Sequence, residues 1–365
     1  MLPKVSVVMS VYNGDQYLQE SIESILNQTF TDFEFIMIDD GSIDNSWEIL
    51  TEYAKQDQRV KLFKNTENIG LTKSLNKGLK LAQGEYVARQ DADDVSLPER
   101  FEKQVEFLEQ APEVVLVSCN IDLIDQEGRL LGKQQRACDR DLVSWYLLFY
   151  NHLAGHSQVM FRQKLVSDLG GYSEDYRYSQ DYELWSRLIK VGDIVILSDA
   201  LLKQRRHEKS ISSAKKLDQD TYSLSNSKRN IKQLLGKELS LEELDTLRGF
   251  WLGHWCSTFF PSSQKVSSID SRLKEIYQVF VLQAAQQSCC HSDLSLRLRV
   301  RIAQQFAFWI RSLSIRQELL SKFKISLYVL VWYPSALLDC WLQEIKQVIS
   351  RILRFLVSAH QIKSD

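Results

Sequence analysis

The stretch Val5-Ser6-Val7-Val8-Met9-Ser10-Val11 constrains the fold more than any other part of this chain. It is a near-continuous apolar, β-branched run, which suits a strand of a parallel sheet covered on both faces. A helix follows, with Leu18, Ile22, Ile25 and Leu26 at i, i+4, i+7 and i+8. Glu34–Ile38 reads as a second strand, and the next helix carries Trp47, Leu50 and Ala54 on one face. Val60–Phe63 is a short third strand, and Leu71, Leu75, Leu79 and Ala82 stripe a third helix before the strand Tyr86–Arg89. Strands and helices alternating at this spacing predict a parallel, doubly wound sheet with right-handed crossovers.

Beyond Arg89 the pattern loosens. Leu97 to about Gln110 is a helix burying Phe101, Val105 and Leu108; Ser96 and Glu99 have capping-box spacing at its start, with Pro98 in the first turn. Val114–Cys119, Gln158–Phe161, Ile194–Leu197 and Leu201–Gln204 read as strands, Asp181–Ile189 as a helix, and Asp122 to Asp141 as a polar, irregular excursion. After about Ser210 strand signals vanish. Helical patterns recur at Leu241–Phe250, Leu273–Ala285, Leu294–Ile310 and Leu337–Leu356, which places a domain boundary between Ile211 and Ser223.

Composition sets limits on function. At 365 residues the chain exceeds a usual domain of about 100–200 residues. A net charge of −2 gives no global basic field and argues against a nucleic acid polymer as partner. The six cysteines form no C-x-x-C pair and read as reduced thiols of a cytoplasmic protein. The N-terminus reads as a buried strand, not a signal peptide. No apolar run reaches the ~20 residues of a membrane-spanning helix.

Acids gather where strands end. Asp91-Ala92-Asp93-Asp94 follows Tyr86–Arg89, and Asp39-Asp40-Gly41-Ser42 follows the second strand. In an open α/β sheet that edge is where ligands bind. Clustered carboxylates repel unless a cation lies between them, and a hard divalent metal with oxygen ligands is the usual solution. The opposing reading of Asp91-x-Asp93 is a loop whose acids favour the next helix's N-terminus. For Asp39-Asp40 it is a turn former before Gly41, with Asp44 capping the helix behind.

Several motifs in order resemble the family 2 glycosyltransferases. They are Val5–Gly14, Ile38-Asp39-Asp40-Gly41-Ser42, Asn68-Ile69-Gly70, Ala82–Tyr86, Asp91-Ala92-Asp93-Asp94 and Leu97-Pro98-Glu99-Arg100. The similarity covers roughly the first 215 residues. It implies a GT-A (Rossmann-like) fold: a mixed, mostly parallel sheet with flanking helices, followed here by an α-helical C-terminal region. Residues 1–95 would be the nucleotide-binding half, 96–215 the acceptor half and 216–365 the helical region. The resemblance implies inverting transfer of a hexosyl type, from a nucleoside diphosphate sugar, UDP-linked in this reading, to a hydroxyl of a glycan or lipid-linked acceptor.

The resemblance also assigns residues. Asp93, helped by Asp91, would hold Mn²⁺ or Mg²⁺; Val11 and Asp39 or Asp40 would line the base and ribose; Lys73 is a candidate phosphate or base contact. Gln180-Asp181-Tyr182-Glu183-Leu184-Trp185 matches the segment carrying the family's catalytic base, so Asp181 is the candidate base, although Gln180 replaces the usual acid. A carboxylate accepting the acceptor's proton would activate a poor nucleophile. Arg205-Arg206-His207-Glu208-Lys209-Ser210-Ile211-Ser212 resembles the family's Arg-x-His-x-x-Ser-x-Ser segment, which would set Arg205 and His207 against the donor diphosphate, or His207 in the metal shell. A basic loop after the last strand is the alternative. Asn151, His152 and His156 are candidate wall contacts or satisfied structural groups.

In the C-terminal region Arg297, Arg299, Arg301 and Arg311 interleave with Leu298, Ile302, Phe306, Phe308 and Trp309. Two readings stand: a helical cap packed on protein, or a basic amphipathic face on an anionic membrane near a lipid-linked acceptor. The resemblance implies bacterial cell-surface polysaccharide assembly for the cell envelope as the setting; the expected location is the cytoplasm, with the periphery of the inner membrane's cytoplasmic face as the alternative. Competing classes are a sugar-nucleotide pyrophosphorylase, which would need a Gly-rich phosphate loop that Val11–Gln16 lacks, and a degenerate binding subunit.

Overall fold

A computed structural model describes residues 2–334 apart from 137, 154, 209, 211–214, 254–262, 288–292 and 313–318. The helix expected at Leu337–Leu356 lies outside the described residues. The chain divides into two compact units, Met1–Asn230 and Ile231–Asp365.

The first unit is built on one mixed sheet. Its strands are β1 (Val5–Val11), β2 (Phe33–Asp39), β3 (Val60–Lys64), β4 (Tyr86–Arg89), β5 (Val95–Ser96), β6 (Val114–Ile124), β7 (Leu130–Gln134), β8 (Met160–Arg162) and β9 (Asp193–Arg205). They lie in the order β3-β2-β1-β4-β8-β6-β9-β5, with β7 paired to β6. β3, β2, β1 and β4 are mutually parallel, as are β6 and β9; β8 is antiparallel to both β4 and β6 and joins the two groups.

Alternation along β1 explains why both faces are covered. Val5, Val7, Met9 and Val11 pack with Leu18, Ile22 and Ile25 of α1 (Asp15–Leu26) and Phe101, Val105 and Leu108 of α4 (Arg100–Gln110). Val8 points the other way, toward Leu75 and Leu79 of α3 (Leu71–Leu81) and Trp185 and Leu188 of α7 (Gln180–Leu188). Successive strand residues face opposite sides, so one apolar run serves two cores. The remaining helices of this unit are α2 (Ser46–Gln56), α5 (Arg140–Tyr146) and α6 (Gln163–Asp168). The mixed, mostly parallel sheet with flanking helices is the expected fold class.

Three local expectations are corrected. The capping box at Ser96 does not form: Ser96 lies in β5, its Oγ donates to Gln90 Oε1, and α4 begins only at Arg100 with no side-chain cap. A buried polar network takes the hydroxyl that the helix end would have used. The polar excursion holds ordered structure, because β6 runs on to Ile124 and pairs with β7 across a turn at Gly128, where φ is +80°. The two last strands are one, β9, which bulges along β6.

The second unit is helical among its described residues. α8 (Lys216–Leu235) reaches it, followed by α9 (Leu241–Leu252), α10 (Ser263–Gln287), α11 (Leu294–Ser312) and α12 (Leu319–Trp332). Ser240 and Glu243 form a capping box at α9. Leu273, Ile276, Leu298, Ile302, Phe306 and Trp309 are buried, so α11 does pack an apolar face on protein. No helix of the described residues is long and apolar enough to cross a membrane.

Candidate active site

Val11, Asp39 and Arg89 end three adjacent parallel strands, so their loops share one sheet edge. Asp91, Asp93 and Asp94 leave that edge together and meet three different fates. Asp91 Oδ1 accepts from the Arg89 guanidinium at 2.5 Å and Oδ2 accepts from Ser157 Oγ at 2.9 Å. Burial alone would raise the Asp91 pKa, yet the charge of Arg89 and these hydrogen bonds hold it below the ordinary carboxylate range. Asp94 is buried, and its Oδ1 accepts from the Arg205 backbone N–H at 3.0 Å. Burial, with Asp93 and Asp91 nearby, pushes its pKa well up. Asp93 is about as exposed as Asp91, 28% against 31%, and differs in its partner: its Oδ2 lies 2.8 Å from His207 Nε2.

Two buried guanidiniums carry this loop. Arg89 donates to the carbonyls of Val8 and Gln90 as well as to Asp91. Arg100 has no carboxylate partner. It donates to Gln104 Oε1, Gln90 Oε1, Ser96 Oγ and the carbonyls of Arg89 and Val159, at 2.8–3.2 Å. These acceptors substitute for water around a fully buried cation. Burial lowers the Arg100 pKa to about 10, which leaves it charged at neutral pH.

Arg205 is a clamp. Its Nε donates to Asp93 O at 3.1 Å, Nη1 to the carbonyls of Asp125 and Gln126, and Nη2 to Glu20. Its guanidinium also lies over the Tyr17 ring, 4.5 Å from the centroid. With four of its five N–H donors engaged and its side chain only 2% exposed, Arg205 is turned to protein acceptors. Its neighbour two positions on, His207, tilts against the same Tyr17 ring and reaches Asp93.

At the ends of β1 and β2 the acidic pair also divides. Asp40 N donates to Val11 O, tying the strand ends together. The Asp40 carboxylate accepts from Asn65 Nδ2, Ser74 Oγ and the backbone N–H groups of Ile69 and Gly70, at 2.8–3.0 Å. It organises the 65–74 segment. Gly41 lets that segment close in, since a Cβ there would lie 2.7 Å from Asn68 N, at a φ of +75°. Asp39 accepts weakly from Ser42 N, and its buried Oδ2 has no hydrogen-bond partner among the described residues. Lys64 Nζ stands 4.0 Å from it. Lys73 is exposed on α3 and joins none of these contacts.

Asp181 occupies the first turn of α7. Asn151 Nδ2 donates to its Oδ2 at 2.7 Å, and Tyr182 N donates to Oδ1. The amide must point this way, because the reverse would set oxygen against oxygen. Burial raises the Asp181 pKa to about 6, despite those hydrogen bonds, and the charge of Asp91 adds to the rise. The residue before the helix, Ser179, holds a left-handed φ of 54°, a strain of about 1–3 kcal/mol of the kind that collects at functional sites. His156 is satisfied by Tyr172 OH at 2.7 Å, and burial lowers its pKa to about 3, so it is neutral. His152 Nδ1 pairs with Tyr150 OH and its ring stacks on Tyr146.

Residues 6–170 match the family described as Glycosyl transferase family 2. An uncharacterized glycosyltransferase of Haemophilus influenzae is 34% identical over 248 residues, which covers 64% of this chain and 75% of that protein. The chain belongs to glycosyl transferase family 2. The O-antigen biosynthesis glycosyltransferase WbnJ of Escherichia coli is 36% identical over 217 residues, 58% of this chain and 82% of the relative. Among solved structures, S. aureus TarS 1-349 in complex with UDP-GlcNAc superposes with a TM-score of 0.53 at 16% identity, covering 93% of this chain and 92% of the other. The mannosyltransferase PcManGT of Pyrobaculum calidifontis, in complex with GDP-Man and Mn²⁺, gives a TM-score of 0.50 at 16% identity, covering 93% and 88%. These two likenesses establish the fold of the glycosyltransferase.

Sequence reasoning passed over residues that build this glycosyltransferase's site. Arg89 closed a strand and Arg100 a motif, both without a role, and Ser157, Tyr17 and Glu20 were not singled out. One signal was available: a charged residue closing an apolar strand, as Arg89 does, requires a buried partner.

Proposed function

We propose that this glycosyltransferase transfers a sugar from a nucleoside diphosphate donor, UDP-linked in our reading, to a hydroxyl of a glycan or lipid-linked acceptor, with inversion. Asp181 is the general base. A carboxylate with a pKa near 6 is ionised at neutral pH yet basic enough to accept the acceptor's proton. Asn151 holds Oδ2 and the Tyr182 N–H holds Oδ1, and together they set which lone pairs remain for the acceptor.

The observation that carries the proposal is the convergence of Asp93 and His207 on the edge whose charges also act on Asp181. One carboxylate oxygen and one imidazole nitrogen fit Mn²⁺ or Mg²⁺, which takes few protein ligands and completes its shell with donor phosphates and water. Among the described residues no group of three or more His, Cys, Asp or Glu could hold a metal, so these two side chains would be the protein's whole contribution. When bound, the metal would neutralise charge developing on the departing diphosphate. We assign Asp93 and His207 as its ligands and Asp91 as a loop anchor, because both Asp91 oxygens are already engaged. We assign Asp39 to base or ribose recognition through its unpartnered oxygen, and Asp40 to building the cradle. Arg205 and Lys73 leave the donor-contact set.

The relative named for O-antigen biosynthesis supports cell-surface polysaccharide synthesis as the setting. A lipid-linked acceptor would bring the reaction to a membrane surface, and we place the C-terminal helices there. The deciding experiment incubates the protein with Mn²⁺ and UDP-, GDP- and TDP-sugars, then follows donor hydrolysis and transfer and reads the product's anomeric configuration by NMR. Absence of both hydrolysis and transfer across the panel overturns the proposal, and retention of configuration overturns the inverting mechanism.

A further inference from the structure

Helix α12 is apolar on both sides. One face is buried through Ile325, Val329 and Trp332. On the other, Phe323, Leu327, Leu330 and Val331 recur at i, i+4, i+7 and i+8 and are 42–63% exposed. A helix turned to water carries polar residues on its outer face, and a contiguous apolar stripe there marks an interaction surface.

Charge identifies the occupant. α12 contains Lys322 and Lys324 and no acid; α11, which packs beside it, contains four arginines and no acid. Arg299 Nε donates to Trp332 O at 2.9 Å, which sets a guanidinium at the C-terminal end of the stripe, next to exposed Val331. Arg301 is exposed on α11. A second copy of the same acid-free, cationic face would be repelled. A surface with negative headgroups above an apolar interior meets both features, because interfacial helices sink aromatic and aliphatic side chains to the acyl boundary while Lys and Arg stay among the headgroups.

We infer that the exposed face of α12 docks on an anionic lipid surface, with Phe323, Leu327, Leu330 and Val331 inserted and the neighbouring cations on the headgroups. The inference rests on the reading of a membrane-bound acceptor only for its purpose; binding itself needs no catalysis.

The test is co-sedimentation of the full chain with vesicles of phosphatidylcholine alone or mixed with phosphatidylglycerol. The expected result is about tenfold stronger partition onto the anionic vesicles, weakened by salt, and about tenfold loss with Leu327→Glu. Circular dichroism checks that the helices persist, and Phe323→Ser carries the test if Leu327→Glu unfolds. Equal partition onto both vesicle types overturns the inference. So does failure to pellet, whether sedimentation velocity then shows a dimer dispersed by Leu327→Glu or a monomer whose own chain covers the stripe. UDP and GDP binding, measured by calorimetry on the same samples, separates the two readings: vesicle binding without nucleotide binding supports the lipid face and counts against the donor assignment.

Discussion

Asn151 Nδ2 and Asp181 Oδ2 lie 2.7 Å apart, and the hydrogen bond stabilises the ionised form of a carboxylate that burial pushes toward the neutral one. The sign of the pH dependence follows. The base works only when deprotonated, so kcat/KM should fall about tenfold per pH unit below about 6. Asn151→Leu removes a donor to the charged form, so the acidic limb should move up by about one unit. Asp181→Asn should lower transfer by about 10²–10⁴-fold with UDP affinity retained. A pH profile that stays in place in Asn151→Leu would detach Asp181 from the titrating step.

Asp93 and His207 should govern metal affinity, and Asp91 should not. Mn²⁺ binding followed by electron paramagnetic resonance should weaken at least about tenfold in Asp93→Asn and in His207→Ala. Asp91→Asn should change it far less, because the Asp91 oxygens face Arg89 and Ser157. Its cost should appear in stability instead, since fully buried Arg89 loses its counter-ion, by about 3 kcal/mol in urea. Equal loss of Mn²⁺ binding in Asp91→Asn would return that residue to the metal.

The acidic pair after β2 separates in the same way. Asp40→Ala strands four donors around the 65–74 segment and should destabilise the protein by about 2–4 kcal/mol. Asp39→Asn keeps the shape and removes an oxygen that has no hydrogen-bond partner among the described residues and only a distant Lys64, so stability should hold within about 1 kcal/mol while nucleotide affinity falls about tenfold. Denaturation and calorimetric UDP titration on the two variants distinguish these outcomes; the reverse pattern would make Asp40 the nucleotide contact.

What was legible in the sequence is what local pattern encodes. Tyr86–Arg89 matches β4 end to end because a short apolar run between turn signals has one way to pair. The polar stretch after Asp122 hid a hairpin because β7, with Leu130 and Leu131 exposed, is an edge strand without an apolar alternation to betray it. α12 was not read as a helix because its apolar run, Ile325 to Trp332, is short, and a short apolar run does not separate a helix from a buried strand. Within the site, proximity in sequence placed Asp91, Asp93 and Asp94 together but said nothing of their separate fates. Those depend on Arg89, Ser157, His207 and Arg205, up to 114 positions apart, which only the tertiary fold assembles. The Arg205 motif illustrates the limit: a cation beside a predicted phosphate site reads as a ligand contact until its acceptors are known.

Arg205 supplies the sharpest separation of a clamp from a ligand contact. Its guanidinium ties α1 through Glu20 and Tyr17 to the acidic loop through Asp93 O and to the β6–β7 turn through Asp125 O and Gln126 O. Lysine keeps the charge but cannot fork to those acceptors. Arg205→Lys should therefore destabilise by about 2–3 kcal/mol, as buried carbonyls lose their donors, and Mn²⁺ affinity should fall with it because the Asp93 backbone is released. UDP affinity at saturating Mn²⁺ should stay within about twofold of the unsubstituted protein, since metal excess restores the site and the guanidinium holds no phosphate. Glu20→Gln should cost less than about 1 kcal/mol, because Glu20 is 56% exposed and water replaces the pair. Were Arg205 a diphosphate contact, the order would invert: UDP affinity would drop about tenfold at saturating metal while the urea midpoint stayed in place.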